Sequence, residues 1–229
     1  MIEGLTVSFE GAAALSDFTL KVGEGGRVAV IGANGAGKTT LLLAATGVLQ
    51  SDTGTVSIDG LTQGKKNRRD FFAKTGLLFQ NPDDQLFMPT VYDDAAFGLR
   101  SGGDLSEADI CARVFETLSM LGIAHLSGRS VTRLSGGEKR LAALAGLLVT
   151  NPKVLLLDEP TAFLDPRGAR NLAEILKGLS QTLIVATHDY AFVRAVCDRV
   201  VLIKEGGLFA DGAADLILGD ETLLRECGL

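Results

Sequence analysis

Four continuous apolar runs stand out in the hydrophobic pattern of the chain, and each predicts a buried β-strand. They occupy residues 27–31, 154–157, 182–186 and 199–203. Central strands of a parallel sheet are covered on both faces, so their sequences are apolar throughout rather than alternating. Helices are predicted between these runs, at 166–179 and 190–196, and this alternation of strand and helix predicts a parallel sheet.

On either side of the run 27–31 and the residues that follow it, the first sixty residues show a different pattern, in which apolar and polar positions alternate. Residues 2–9 alternate in this way, residues 18–22 and 55–58 indicate two further strands, and Asp59-Gly60 is a strong turn signal. Alternation is typical of strands with one buried face. This region therefore predicts antiparallel β-structure, and residues 75–79 predict one more strand.

The middle of the chain is helical in character, from roughly 88 to 148. Apolar residues recur there at helical spacing, at Ile110, Val114, Leu118 and Leu121. We interpret this segment as a helical subdomain inserted into the α/β core of a single domain, residues 1–229. A short helical tail is predicted at roughly 212–229.

Composition and charge exclude several classes of protein. The chain has 229 residues, is 46% hydrophobic and carries a net charge of −6, which predicts a packed core and argues against broad nucleic-acid binding. Its three cysteines form no C-x-x-C pair and its two histidines are isolated, so we expect free thiols and no zinc site. No apolar run approaches the roughly 20 residues that a bilayer requires, and the first residues lack the basic region of a signal peptide.

A phosphate-binding motif follows the first of the apolar runs. Residues 32–39, here called the phosphate loop, read Gly-Ala-Asn-Gly-Ala-Gly-Lys-Thr and match the pattern G-x-x-x-x-G-K-[ST]. A chance glycine-rich turn is the alternative, but the strand before the loop and the helix after it favour the motif. We expect Lys38 to reach the β- and γ-phosphates and Thr39 to bind Mg²⁺. The expected nucleotide contacts are Asn34, Gly35, Ala36, Gly37, Lys38, Thr39 and Thr40.

Two further features indicate phosphate chemistry. Asp158 and Glu159 come directly after the apolar run 154–157, where a nucleotide enzyme places its Mg²⁺ ligand and a residue that polarises water. A helix cap or exposed turn is the alternative. Residues 134–138, here called the Ser-Gly-Gly loop, precede a helix, and such a glycine pair can form an anion-binding nest of backbone N–H groups.

These elements together resemble the ATPase subunits of ATP-binding-cassette transporters. The order and spacing in that family are matched by the phosphate loop, Gln80, the Ser-Gly-Gly loop, Asp158-Glu159, Leu164-Asp165 and His188. The resemblance implies an α/β fold, that of a P-loop NTPase cassette with a mostly parallel core sheet, an antiparallel β subdomain and an inserted α-helical subdomain. It also implies an enzyme that hydrolyses ATP to ADP and phosphate, with Mg²⁺ as cofactor.

The resemblance also implies a role for each matching residue. Phe9 would stack on adenine, with a core strand residue as the alternative. Glu159 would be the general base, and His188 would hold the γ-phosphate and that base in register. Gln80 would touch Mg²⁺ or the attacking water and report to a membrane partner, and Asp158 would join Thr39 as a Mg²⁺ ligand.

A head-to-tail dimer follows from the remaining roles. Ser135, Gly136 and Gly137 would bind the γ-phosphate of ATP held by the other protomer, and Asp165 would link the two sites. All these elements are present in one chain, so a homodimer is the simpler expectation, with a paralogous ATPase subunit as the alternative. Closure on ATP would exclude water and complete each site from two chains.

A narrower resemblance lies around Gln80. The segment 76–87, which contains Gln-Asn-Pro-Asp-x-Gln at 80–85, and the segment 90–98 resemble energy-coupling-factor importers, most closely those for cobalt and nickel. The segment would take the coupling helix of a transmembrane subunit that acts with a substrate-binding membrane subunit, at the cytoplasmic face of the membrane. A biotin or vitamin importer is the alternative, because the ATPase does not touch the solute.

The chain differs from the usual sequence of that family at two places, and two other classes of function are the alternatives. In the family that the chain resembles, Gln-Arg or Lys-Gln is frequent where this chain has Lys139-Arg140. A small residue is more usual where it has Phe163, which affects packing near the dimer junction. A cassette ATPase acting on DNA or ribosomes is disfavoured because the chain has neither a coiled-coil insertion nor a second cassette. An idle scaffold is disfavoured by the intact Lys38, Asp158 and Glu159. We expect no nucleic-acid partner.

Overall fold

A computed structural model describes all residues, 1–229, and they fall into two compact units. The first unit comprises Met1–Leu77, Lys153–Glu159 and Ser180–Leu229. The second comprises Leu78–Pro152 and Pro160–Leu179. The helical segment predicted at 88–148 lies inside the second unit, which begins earlier and also takes in residues 160–179.

Ten strands form two sheets. They are β1 (Ile2–Phe9), β2 (Ala12–Leu20), β3 (Arg27–Ile31), β4 (Thr53–Ile58), β5 (Leu61–Thr62), β6 (Thr75–Leu78), β7 (Val154–Asp158), β8 (Thr182–Ala186), β9 (Arg199–Lys204) and β10 (Gly207–Ala213). An antiparallel sheet has the order β2-β1-β4-β5, and a six-stranded sheet has the order β10-β9-β3-β8-β7-β6.

The six-stranded sheet places the ends of three strands side by side. Strand β3 pairs in parallel with β8 and β9, and β7 pairs in parallel with β8, so that Asp158 lies opposite Ala186. The carboxyl ends of β3, β7 and β8 therefore meet at one edge. Strand β10 pairs antiparallel with β9, which makes the sheet mixed but mostly parallel.

The core of the first unit lies between the sheets and the helix after the phosphate loop. Leu5, Leu15 and Phe18 of the antiparallel sheet pack in one buried cluster with Val30 and Leu41. These side chains are fully buried and apolar, so their transfer from water is a main source of the unit's stability.

Nine α-helices complete the fold. They are α1 (Lys38–Thr46), α2 (Arg68–Ala73), α3 (Val91–Gly102), α4 (Glu107–Met120), α5 (Gly136–Leu148), α6 (Pro166–Gly178), α7 (Tyr190–Val196), α8 (Ala214–Gly219) and α9 (Glu221–Glu226). In the second unit α3, α4 and α5 pack on one another and bury Ala95, Val114 and Leu144. None of the helices combines the length and the apolar character needed to cross a membrane.

The predicted fold class is confirmed, with two corrections in detail. Strand β2 begins at Ala12, six residues before the predicted strand, because it pairs with β1 along most of its length. The short helices predicted at roughly 212–229 are present as α8 and α9, but an unpredicted edge strand, β10, precedes them. Glu205 and Gly206 have positive φ values of 50° and 77° and form the tight turn that joins it to β9.

Candidate active site

The phosphate loop is shaped by close packing against neighbouring backbone. A Cβ atom at position 32 would lie 2.3 Å from the carbonyl oxygen of Ile203, and one at position 37 would lie 2.6 Å from that of Ala14. Gly37 also has a φ of 107°, which residues with a side chain rarely adopt. Glycine is therefore required at both positions, and the loop is held in a fixed curve.

This curve leads directly into the N-terminus of α1. Gly37 is the N-cap and supplies no side chain, so the first N–H groups of the helix lack a side-chain acceptor. Such groups, together with the helix dipole, form a binding place for a phosphate. The Lys38 ammonium donates to the carbonyl oxygens of Gly32 and Ala33, at 2.6 and 3.0 Å, and so lies over the same loop.

Two oxygen-bearing side chains meet beside the loop. The Thr39 hydroxyl donates to the Asp158 carboxylate at 2.7 Å, which joins the start of α1 to the end of β7. Asp158 is buried, and a buried carboxylate needs hydrogen bonds or a cation. One carboxylate and one hydroxyl are hard oxygen ligands that suit Mg²⁺, which takes its remaining ligands from water and substrate phosphates. The residues present therefore fit a magnesium ion that arrives with a nucleotide.

Glu159 is held by two side chains that follow β8. Its carboxylate accepts a hydrogen bond from Thr187 at 2.9 Å, and its other oxygen lies 2.8 Å from Nδ1 of His188. The Glu159 side chain is 12% exposed and that of His188 is 84% exposed, so the acid lies inside the site and the imidazole at its mouth. The backbone of Glu159 has a φ of 46°, an uncommon value that often accompanies functional sites.

Phe9 occupies the end of β1, opposite Ala12 in the antiparallel sheet. Its ring is half exposed, which excludes the alternative of a core strand residue. The first unit therefore brings together the phosphate loop, Asp158, Glu159 and His188, and it carries Phe9 on an open surface.

The Ser-Gly-Gly loop belongs to the second unit and forms the N-terminus of α5. Ser135 is its N-cap: the hydroxyl accepts from the amide of Glu138 at 3.3 Å, while the Glu138 carboxylate accepts from the amide of Ser135 at 2.7 Å. The backbone hydrogen bond from Ser135 lowers the pKa of Glu138 from its usual value. Ser135 keeps its own hydroxyl proton, and with the first N–H groups of α5 it can still donate to an anion.

The Gln80 segment, residues 80–85, is held in place by its own polar side chains, two of which bond to α5. Asn81 caps the short 3₁₀ turn at Pro82–Asp84, and Asp83 forms an ion pair with Lys139 at 2.5 Å. Gln85 accepts from the amide of Phe79 at 3.2 Å and donates to the carbonyl of Ala143 at 3.3 Å. The unusual motif thus has a structural reason, because each polar member after Gln80 fixes the segment's position.

Arg140 is a residue whose importance the sequence analysis missed. It is only 1% exposed, and its guanidinium donates to the carbonyls of Phe79, Gln80 and Pro160. One side chain of α5 therefore holds both the Gln80 segment and the turn that follows Glu159 in sequence. The feature of the sequence that could have indicated this role is the position of a positively charged residue directly before the apolar run 141–149.

Asp165 completes the set of predicted residues. Its carboxylate accepts from the amide of Gly168 at 2.6 Å and caps α6, and Pro166 is the first helical residue. In the second unit, Asp165, the Gln80 segment and the Ser-Gly-Gly loop supply caps, amides and hydroxyls. The general acid–base groups lie in the first unit.

The fold, the phosphate loop and the paired acid define an ATPase of the cassette type. The ABC transporter family matches residues 15–162, well over half of the chain, and the chain belongs to that family. ABC ATPases bind ATP and dimerise, and their ATP hydrolysis is coupled to transport.

The relatives specify the type of transporter. The cobalt import ATP-binding protein CbiO of Rhodobacter capsulatus is 44% identical, covering 99% of this chain and 83% of the relative. The energy-coupling factor transporter ATP-binding protein EcfA of Methanothermobacter thermautotrophicus is 41% identical, covering 100% of this chain and 76% of the relative. The predicted resemblance to energy-coupling-factor ATPases is thereby confirmed.

Two solved structures share the fold. CbiO1 of Clostridium perfringens, part of the ABC transporter complex CbiONQ, aligns with a TM-score of 0.85 at 36% identity, covering 98% of this chain and 92% of that one. The bacterial ABC transporter cassette MJ0796, solved as a dimer, aligns with a TM-score of 0.86 at 25% identity, covering 93% of this chain and 97% of that one.

Proposed function

We propose that this chain is the ATP-hydrolysing subunit of an energy-coupling-factor importer for a divalent transition-metal ion, Co²⁺ before Ni²⁺. The observation that carries the hydrolytic part is the Glu159 carboxylate, which is fixed by Thr187 and His188 one residue after the Asp158–Thr39 pair. The cargo is proposed from the name of the 44% identical CbiO relative and from the Gln80 segment. A vitamin importer is the second candidate, because the EcfA relative, whose name specifies no metal ion, is nearly as similar.

In the proposed reaction the phosphate loop and the start of α1 bind the nucleotide phosphates through backbone N–H groups. Lys38 moves its ammonium from the loop carbonyls to the β- and γ-phosphates. Thr39 and Asp158 would hold Mg²⁺, which supplies charge neutralisation at the phosphate oxygens when it is bound. Phe9 offers its exposed ring to the adenine.

Glu159 is the proposed general base. It takes a proton from the water that attacks the terminal phosphoryl group, and the hydrogen bonds from its two neighbours keep the carboxylate oriented. His188, exposed at the mouth of the site, is placed to contact the γ-phosphate and to hold Glu159 in register. Both residues act from rigid strand ends, which favours precise placement of the water.

We place the second half of the site on another copy of the chain. Ser135, Gly136 and Gly137 present a hydroxyl and uncommitted helix N–H groups but no acid or base, so they suit the γ-phosphate of a nucleotide held elsewhere. Asp165 would connect the two sites of a head-to-tail homodimer, or of a dimer with a paralogous subunit. The MJ0796 cassette, which was solved as a dimer, supports the dimeric state.

An aromatic pair marks the proposed docking place of the transmembrane subunit. The rings of Phe87 and Phe97 meet edge to face at a centroid distance of 4.8 Å, and both are exposed. The Asp94 carboxylate accepts from the amides of Phe87 and Met88, at 3.0 Å each, and so fixes this surface just after the Gln80 segment. We assign it to a coupling helix, which would keep the ATPase peripheral at the cytoplasmic face of the membrane.

The test is uptake of labelled Co²⁺, Ni²⁺ and biotin by cells that express the chain with its own membrane subunits. We expect Co²⁺ uptake, with weaker Ni²⁺ uptake, that is lost in the Glu159→Gln variant. Uptake of biotin alone would contradict the metal-ion importer and favour the vitamin importer. Phe87→Ser should lose co-purification with the membrane subunits while ATP binding persists, and Phe115→Ser, on another exposed phenylalanine of the same unit, is the control.

A further inference from the structure

Phe163 is a large aromatic side chain in an exposed and conformationally unfavourable position. Its side chain is 61% exposed, although burial of a phenylalanine is normally a stabilising contribution. In the family that the chain resembles, a small residue is more usual at this position. The roles proposed above for the site residues do not use this ring.

The backbone at Phe163 adds a second cost. Its φ is +67°, in the left-handed region that glycine enters freely and bulky residues rarely adopt. The amide of Leu164 donates to the carbonyl of Thr161 at 3.1 Å, so Phe163 is the third residue of a tight turn. A positive φ at this position of a turn favours glycine. A strained aromatic residue is retained where the surroundings or a function require it.

The ring lies against the Ser-Gly-Gly loop. A Cβ atom at position 136 would lie 3.1 Å from Cβ and 3.2 Å from Cδ1 of Phe163, and one at position 137 would lie 3.1 Å from its carbonyl oxygen. Both glycines therefore leave room for this residue. Gly136 and Gly137 are proposed to receive the γ-phosphate of the partner's nucleotide, and Asp165 is two residues further along the chain. The exposed ring thus continues the proposed dimer face.

We propose that Phe163 is an anchor of the ATP-closed dimer, and that its exposed ring becomes buried against a second copy of this chain. The inference rests on the proposed function, because it needs the head-to-tail dimer. Rigid aromatic side chains that are exposed in the free protein and buried at an interface commonly carry a large share of the binding free energy. Here the turn and the two glycines fix the ring in advance, so little rotamer freedom is lost on association.

The experiment uses the absence of tryptophan from the chain. In a Glu159→Gln background, Phe163→Trp supplies a single tryptophan at the proposed contact, which can be excited selectively at wavelengths that tyrosine does not absorb. On addition of MgATP we expect its emission to shift to shorter wavelength and its acrylamide quenching to fall, with the change growing with protein concentration. Phe115→Trp in the same background is the matched control, on an exposed face of α4, and should keep its spectrum.

A second variant distinguishes an effect on the dimer contact from an effect on the stability of the fold. Phe163→Gly removes the ring and the backbone strain together, so we expect an unfolding midpoint equal to or above that of the parent. Its ATP-dependent dimer should dissociate about tenfold more readily in sedimentation analysis. ATP binding by the monomer should stay unchanged.

The outcomes discriminate between the two proposals. A Glu159→Gln dimer that forms in ATP with unchanged tryptophan emission, or with undiminished affinity in Phe163→Gly, would overturn the role of Phe163 and leave the dimer standing. A dimer tightened by Phe163→Gly would mean that the ring obstructs closure, which also contradicts the inference. A Glu159→Gln protein that stays monomeric in ATP would overturn both the inference and the proposed dimer.

Discussion

The two compact units carry different kinds of functional group. In the first unit, side chains contact one another: Thr39 bonds to Asp158, and Glu159 is held by Thr187 and His188. In the second unit, Ser135 and Asp165 serve as helix caps, and the buried Arg140 donates to the backbone carbonyl of Gln80. The side chains of the first unit therefore suit the phosphate binding and water activation proposed for them, whereas the helix N-termini of the second unit suit an anion.

This difference supports the proposal that each ATP site is completed by two copies of the chain. Preorganised charges and oriented acids stabilise a transition state where they are already in place, and the first unit has them. The second unit offers a helix N-terminus, which gives binding without acid–base chemistry. If each site needs both kinds of surface, as proposed, ATP would control association of the two copies.

The largest expected effect comes from removing the acid of the first unit. Glu159→Gln keeps the shape but cannot accept a proton, so ATP hydrolysis should fall by about 10²–10⁴-fold while ATP still binds. Phosphate release at saturating ATP measures the rate, and size-exclusion chromatography should show an accumulated dimer. Glu24→Gln, an exposed acid outside the site, is the control. A variant that hydrolyses ATP at the wild-type rate would remove Glu159 from the role of base.

The second unit should be most sensitive at Arg140. Arg140→Ala leaves three carbonyls, those of Phe79, Gln80 and Pro160, without this donor, and we expect a loss of about 3 kcal/mol in the free energy of unfolding. Urea denaturation measures it. Arg140→Lys should restore only part of the loss, because an ammonium lacks the planar fork that reaches several acceptors. Full stability in the alanine variant would show that Arg140 does not support these segments.

ATP binding by the first unit should weaken when the phosphate loop loses the ammonium group of Lys38. Lys38→Ala removes charge-assisted hydrogen bonds to the phosphates, so the dissociation constant for ATP should rise by about 10–100-fold. A titration with a fluorescent ATP analogue measures it. Lys66→Ala, in an exposed basic run of the same unit, should leave the affinity unchanged. Equal affinities in the two variants would contradict the placement of the phosphates.

The smallest expected effect concerns the cap of α5. Because the folded pKa of Glu138 is lowered, its contribution to stability is present above the unfolded pKa, near 4.3, and is lost as the pH falls through the folded value. Glu138→Gln should therefore be less stable than wild type at pH 7 by about 1 kcal/mol or less, with the gap closing below about pH 4. Thermal unfolding across this range measures the gap. Glu116→Gln controls for the change in net charge, and a gap that persists at low pH would mean that the charge is irrelevant.

The sequence predicted most of the first unit because its strands are long apolar runs and its loop is a strict motif. It did not predict β10, because this edge strand is partly exposed and contains two glycines and an aspartate, so its order comes from pairing with β9. The prediction for β2 began too late in the chain for a similar reason, since Ala12–Ala14 has little intrinsic preference for a strand.

The second unit was harder to foresee at the level of contacts. Arg140 could not be assigned from its position, because its role depends on which face of α5 is buried and on two segments distant in sequence. The capping box of Ser135 and Glu138 is visible in the sequence as S-x-x-E, but the prediction rested only on the glycines between them. The exposure of Phe163 needed the structure, although its unusual residue type was apparent.

The most direct test of the account is complementation between the two kinds of surface. Lys38→Ala inactivates the first unit's half-site, while Ser135→Asp keeps the cap of α5 but places a negative charge where the γ-phosphate would bind. Each variant alone should be nearly inactive. Mixed in equal amounts they should regain ATPase activity, because a mixed dimer contains one site with an intact phosphate loop and an intact Ser-Gly-Gly loop. Activity no greater than the sum of the separate variants would contradict the claim that two copies of this chain share each ATP.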